Sequence, residues 1–130
     1  MRVESLDHLV LTVRDLDAAQ QFYADALGMT PVCFAVADGT KRHALSFGNQ
    51  KINLHVAGAE FEPKSAHPTP GSADLCFLVT GSILDWVTAL QARNISVEMG
   101  PVARTGATGK LTSIYVRDPD DNLIELSVLA

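Results

Sequence analysis

Positive charge is scarce in this chain and nowhere clustered. Ten lysines and arginines stand against fifteen acids in 130 residues, for a net charge of −5. The stretches before and after Ser65 carry six bases against eight acids and four against seven, so neither is a basic module. With no aromatic-rich basic stripe either, a nucleic-acid backbone finds no matching surface. Only two cysteines occur, Cys33 and Cys76, and without CxxC spacing they read as reduced thiols of a cytoplasmic protein. Aromatics make up 6% of the residues. No apolar run reaches the roughly 20 residues of a membrane helix, since Thr12, Arg14 and Asp15 cut the longest. The opening MRVESLDHLV carries acids where a signal peptide has its apolar core. What remains is 47% apolar and 19% charged residues, which describes a single folded domain.

That domain is written twice. Residues 6–13 alternate as a strand, and 15–28 follow as an amphipathic helix with Leu16, Ala19, Phe22, Tyr23, Ala26 and Leu27 on one stripe. Asp15 or Asp17 caps its start and Gly28 stops it. Three extended segments, near 30–37, 42–48 and 51–56, are separated by the turn pairs Asp38-Gly39 and Gly48-Asn49. The pattern then restarts with a strand at 73–79 and a helix from Ser82 to Arg93. Strands near 95–99, 111–117 and 122–128 complete it. The spacing predicts an α+β fold of two βαβββ modules, 4–56 and 72–129, in one domain of residues 1–130. Residues 57–71, with three prolines, form a linker or functional loop. One helix covers one face of four strands, so two modules are expected to pair into a curved mixed sheet around a cleft.

Strand alternation sorts the side chains that face that cleft. His8, Val10 and Thr12 oppose Leu9, Leu11 and Val13. Asn53 and His55 oppose Ile52, Leu54 and Val56, Asp74 and Cys76 oppose Leu75 and Phe77, and Glu125 and Ser127 oppose Ile124 and Leu126. Four strands at repeat-related places thus each offer a metal-capable group: His8, His55, Asp74 and Glu125. Two imidazoles and two carboxylates suit Zn, Ni, Co, Mn or Fe. A strand histidine or acid taken singly is more often a hydrogen-bonded or surface residue. Arg104 opens the glycine-rich run RTGATG, a hairpin that offers a cation to an anionic group. Asp118, Asp120 and Asp121 read as a turn, and Cys76 as a wall residue with no neighbouring base to activate it. His43 and His67 are further ligand or proton-shuttle candidates. No serine sits in a nucleophile elbow.

The opening DHLVLTVRDLDAAQQFYADALGM (7–29) and the closing IYVRDPDDNLIEL (114–126) resemble the vicinal oxygen chelate superfamily. That superfamily includes glyoxalase I, bleomycin- and fosfomycin-resistance proteins and extradiol dioxygenases. FGNQKINLH (47–55), EFEPK (60–64), PTPGSADLC (68–76) and GPVARTGATG (100–109) are similar to its glyoxalase-domain-containing protein 5 group, which includes bacterial virulence proteins. The resemblance implies a divalent metal in the cleft on His8, His55, Asp74 and Glu125, and a homodimer acting on a small molecule. It implies a lyase or isomerase in which Glu125 moves a proton, with Arg104, Lys64 and Cys76 toward the substrate. Two other readings stay open. One is an Fe(II) extradiol dioxygenase, disfavoured by Asp74 where such enzymes have histidine. The other is a non-catalytic ligand-binding protein. Asp121 stands where the family turn usually has glycine, a modest cost if φ is positive.

Overall fold

The computed structural model describes residues 1–130. The chain divides into two compact units, Met1–Pro70 and Gly71–Ala130. In the first, β1 (His8–Val13) leads to α1 (Leu16–Gln20) and then to β2 (Thr30–Ala35), β3 (Lys41–Phe47) and β4 (Gln50–Val56). The strands form one sheet in the order β1-β4-β3-β2, with β1 parallel to β4 and the remaining pairs antiparallel. The second unit repeats the plan with β5 (Asp74–Leu78), α2 (Ile83–Ala92), β6 (Met99–Thr105), β7 (Lys110–Arg117) and β8 (Leu123–Leu129). Its order is β5-β8-β7-β6, with β5 parallel to β8. No helix is long and apolar enough to cross a membrane.

In both units a parallel first-to-last pairing forces a crossover through the helix, and the helix packs on the sheet face where the apolar residues alternate. Leu11, Val13, Leu45, Ile52 and Leu54 bury there in unit one, and Leu111, Ile114, Val116, Ile124 and Leu126 are buried in unit two. Asp15 Oδ1 accepts from the Ala18 amide at 3.0 Å and Ser82 Oγ from the Asp85 amide at 3.1 Å, which satisfies an orphan donor at each helix start.

Two elements differ from the sequence expectation. The first helix is not α-helical throughout: after Gln20 it widens into a π-helical segment, Gln21–Ala26. The wider turn lets consecutive Phe22 and Tyr23 both bury, their rings edge to face at 4.9 Å, and Gly28 ends it at φ 78°. The strand expected near 95–99 starts instead at Met99, and its register with β7 shifts between Met99 and Val102. Gly100 sits at that irregularity because a Cβ there would collide with the Ser113 carbonyl.

The turn after β7 is held from within. Asp118 Oδ1 accepts from the Asp120 and Asn122 amides, both at 2.9 Å, and its Oδ2 from Asn122 Nδ2 at 2.8 Å. Asn122 Oδ1 accepts from the Ala73 amide at 2.8 Å and so ties the turn to the start of β5. Asp121, between them, has φ 67°, the left-handed region that favours glycine. Replacing Asp121 by Gly is expected to stabilise the chain by about 0.5–1 kcal/mol, read from the urea midpoint at unchanged m value. A loss of stability would show that the aspartate side chain holds the turn.

Candidate functional site

Each sheet has a second, polar face, and the site residues stand on these two faces. In unit one the register opposes His8 to Lys51, Val10 to Asn53 and Thr12 to His55. Ala44 on β3 opposes Asn53, so alternation puts Arg42 on the same face, and Arg42 opposes Phe34 of β2. His8 is an exposed imidazole whose Nδ1 bonds Asp7 Oδ2 at 2.8 Å. A carboxylate on Nδ1 orients the ring and leaves Nε2 free to ligate. His55 is buried beneath Phe61 of the following loop, ring centroids 5.6 Å apart and edge to face. Burial lowers its pKa, and the Arg42 charge lowers it further against a weaker pull from Glu60. His55 is therefore a neutral imidazole at neutral pH.

Phe61 also carries the Arg42 guanidinium on its ring at 3.4 Å. The loop after β4 thus folds over the polar face and walls the first of two pockets that share His55. One, of about 340 Å³, is bounded by Val10, Thr12, Pro63, Lys64 and Pro68. The other, of about 190 Å³, lies toward Arg42, Lys51, Asn53 and Phe34. Lys64 borders the first of these pockets, and its ammonium pairs with Glu62 at 3.1 Å.

In unit two, Cys76 opposes Glu125 and Asp74 opposes Leu123, while Tyr115 and Ser113 of β7 oppose Glu125 and Ser127. Ser127 Oγ donates to Glu125 Oε2 at 3.2 Å and lies 2.7 Å from Ser113 Oγ and 3.3 Å from Cys76 Sγ. Burial raises the Glu125 pKa, but hydrogen bonds from Ser113, Tyr115, Ser127 and Cys76 outweigh it and hold the carboxyl below the ordinary glutamate value. For Cys76 burial is again the largest influence and pushes the thiol up. The Glu125 and Asp74 charges add to it against one bond from Ser127. A thiol so placed is a poor nucleophile. Arg104 donates from Nε to Tyr115 Oη at 2.9 Å and from Nη1 to the Ala103 carbonyl at 3.0 Å, so it joins the Glu125 face through Tyr115.

The donor types suit a divalent ion, with imidazoles on the polar face of one unit and carboxylates on that of the other. The register nevertheless keeps His8 and His55 apart. They stand four strand positions from one another, about 13 Å along β1 and β4 at the ordinary rise of about 3.3 Å. Two nitrogens on one ion lie within about 4 Å of each other, so a shared ion would need both imidazoles to reach along the strands toward each other. No group of three or more His, Cys, Asp or Glu side chains is gathered at one point. Sequence reasoning missed Arg42, Lys51 and Phe61 in unit one and Ser113 and Tyr115 in unit two. The alternation rule that found His55 would have found Arg42 and Tyr115 had it been run along β3 and β7.

Two four-stranded βαβββ sheets with polar faces define a class of fold, and comparison with known proteins agrees. Residues 5–126 match the Glyoxalase/Bleomycin resistance protein/Dioxygenase superfamily, and the chain belongs to it. It is 53% identical over 127 residues to virulence protein STM3117 of Salmonella typhimurium, covering 98% of this chain and 85% of that one. Superposed on that protein's crystal structure, it gives a TM-score of 0.92 at 51% identity, with both chains fully covered. Glyoxalase domain-containing protein RDO1 of Mycosarcoma maydis is 57% identical over 127 residues, 98% of this chain and 69% of that one. The structure of lactoylglutathione lyase from Agrobacterium tumefaciens matches 98% of this chain and 95% of its own, with TM-score 0.72 and 26% identity.

Because the folded Glu125 pKa is depressed, the stability this carboxylate contributes is present above its ordinary value and is lost as pH falls through the lowered one. Glu125→Gln is expected to flatten the decline of stability that begins as pH falls below about 4.5, the ordinary glutamate value, measured by urea unfolding. Parallel declines in the two proteins would contradict the hydrogen-bonded carboxylate.

Proposed function

We propose that this chain is a metal-dependent lyase or isomerase acting on a small molecule with oxygens on neighbouring carbons. The observation that carries the reading is Glu125, an ionised carboxylate held on the polar face by Ser113, Tyr115, Ser127 and Cys76. Superfamily membership and the likeness to a lactoylglutathione lyase support it. In this reading the divalent ion would take its ligands from among His8, Asp74 and Glu125, within one chain or across two chains. His55, four strand positions from His8, faces the substrate in the same reading as a neutral hydrogen-bonding group. The bound ion supplies Lewis-acid polarisation of the substrate carbonyl. Glu125 takes the proton from the carbon bearing a hydroxyl and returns it to the former carbonyl carbon, the hydroxyl proton passing between the two oxygens. The two carbons exchange oxidation level with no net redox change. Arg104 positions Tyr115 against the carboxylate, and Lys64 borders the pocket beside His55.

The same reading makes the chain a homodimer. It is supported by apolar side chains that stand exposed on the site-bearing sheets, Val10, Val32, Leu78 and Met99 among them. Protein purified without tag or chelator is expected to carry about one divalent ion per chain. With a panel of 2-oxoaldehyde adducts and hydroxyketones, turnover is expected to stop on chelation and to fall more than about 100-fold in Glu125→Gln. Ligand binding indifferent to chelator, with no turnover, would replace this reading by that of a binding protein.

A further inference from the structure

We propose that the recess between Arg42, Lys51 and Asn53, beside His55, is a subsite for a carboxylate that carries an adjacent hydroxyl. The acid that fills it is the substrate if the lyase reading holds, but binding in the recess does not depend on that reading. The recess encloses about 190 Å³, room for one small polar group. Two cations line it and no carboxylate does. Arg42 is held flat on the Phe61 ring at 3.4 Å, and the Lys51 ammonium lies 4.9 Å from the centre of the Phe34 ring. A ring face orients a cation without neutralising it. Asp38 interacts through its charge with Arg42 and Glu60 with His55, and each accepts its hydrogen bonds from other groups. Asp38 Oδ1 accepts from the Thr40 amide and hydroxyl at 2.9 and 2.6 Å, and Glu60 Oε1 from the Gly58 amide at 3.0 Å.

Three residues that line the recess each have a buried polar atom without a partner, His43 Nδ1 among them, and the two beside the cations specify the chemistry. Arg42 Nε is buried without an acceptor, and Asn53 Oδ1 is buried without a donor. Native structures seldom leave both kinds of group unpaired in one recess, because each has been stripped of water without a replacement. A carboxylate oxygen accepts from Arg42 Nε, with the Lys51 ammonium beside it as a second positive charge. The orphan at Asn53 requires the opposite partner, an O–H. A carboxylate with a hydroxyl on the next carbon supplies both, whereas a plain carboxylate or a neutral diol supplies only one. His55, neutral and common to the two pockets, leaves the rest of the molecule a path into the larger one.

The test uses the full chain in solution. The Arg42 Nε–Hε signal, identified by its loss in Arg42→Gln, is followed by 15N–1H NMR while glycolate, acetate, ethylene glycol or sodium chloride is added at matched ionic strength. Glycolate is expected to shift this signal saturably and to bind at least about tenfold tighter than acetate, with ethylene glycol and chloride inert. Asn53→Ala is expected to bring glycolate down to the acetate level, and Arg42→Gln to abolish saturable binding with the rest of the spectrum unchanged. An unmoved Arg42 signal, or equal glycolate and acetate affinities in the wild-type chain, would overturn the proposal. Saturable binding in a protein that takes up no metal and turns nothing over would remove the lyase reading and leave the subsite. Metal-dependent turnover with Arg42 and Asn53 variants at wild-type KM would do the reverse.

Discussion

Everything about the site descends from one constraint, the parallel pairing of the first strand of each unit with its last. Parallel strands need a crossover, and the helix that makes it covers one face of the sheet. The other face is then free to be polar, and a period of two assigns every second residue of β1, β4, β5 and β8 to it. Pairing also sets position along the strand. Opposing His8 to Lys51 and Thr12 to His55 sends the two imidazoles to opposite ends of the same face. One residue of slip would carry the whole polar row into the core, so the buried Ile52 and Leu54 enforce the register that separates the histidines.

The two units use their polar faces differently. Unit two saturates its carboxylate: serines 113 and 127, fully buried and 2.7 Å apart, form a hydrogen-bonded floor under Glu125. Such a floor holds the carboxyl below its ordinary value against the burial that raises it. Unit one leaves its groups unsatisfied, with an arginine on a phenylalanine ring and an asparagine oxygen without a donor. In the proposed reading this contrast divides proton transfer, on unit two, from substrate recognition, on unit one. It also gives the loop after β4 a purpose beyond connection, because Phe61 touches both Arg42 and His55.

The duplicated plan was legible because each unit repeats strand, capped helix and hairpins with its own alternation. Ser82 marked the second helix start, and of the two caps offered for the first, Asp15 and Asp17, the structure uses Asp15. The π-helical widening at Gln21–Ala26 was not legible, since it depends on Phe22 and Tyr23 competing for one core. The late start of β6 depends on how closely Gly100 approaches β7, which local pattern does not carry. At the site, alternation found the face of His8, His55, Asp74, Cys76 and Glu125, but a period of two says nothing of distance along a strand. Register is a property of two strands together, and it sets His55 apart from His8. Tyr115 went unnoticed because IYV reads as an apolar run, and Arg42 because KRH reads as a solvated start of a strand.

The most direct test of this account is calorimetric titration of Co(II) into the wild-type chain, His8→Ala and His55→Ala. The register predicts that His8→Ala weakens metal binding by about 100-fold or more and that His55→Ala leaves it within a few-fold of wild type. Equal losses in the two variants would place both imidazoles on the same ion and contradict the separation on which the account rests.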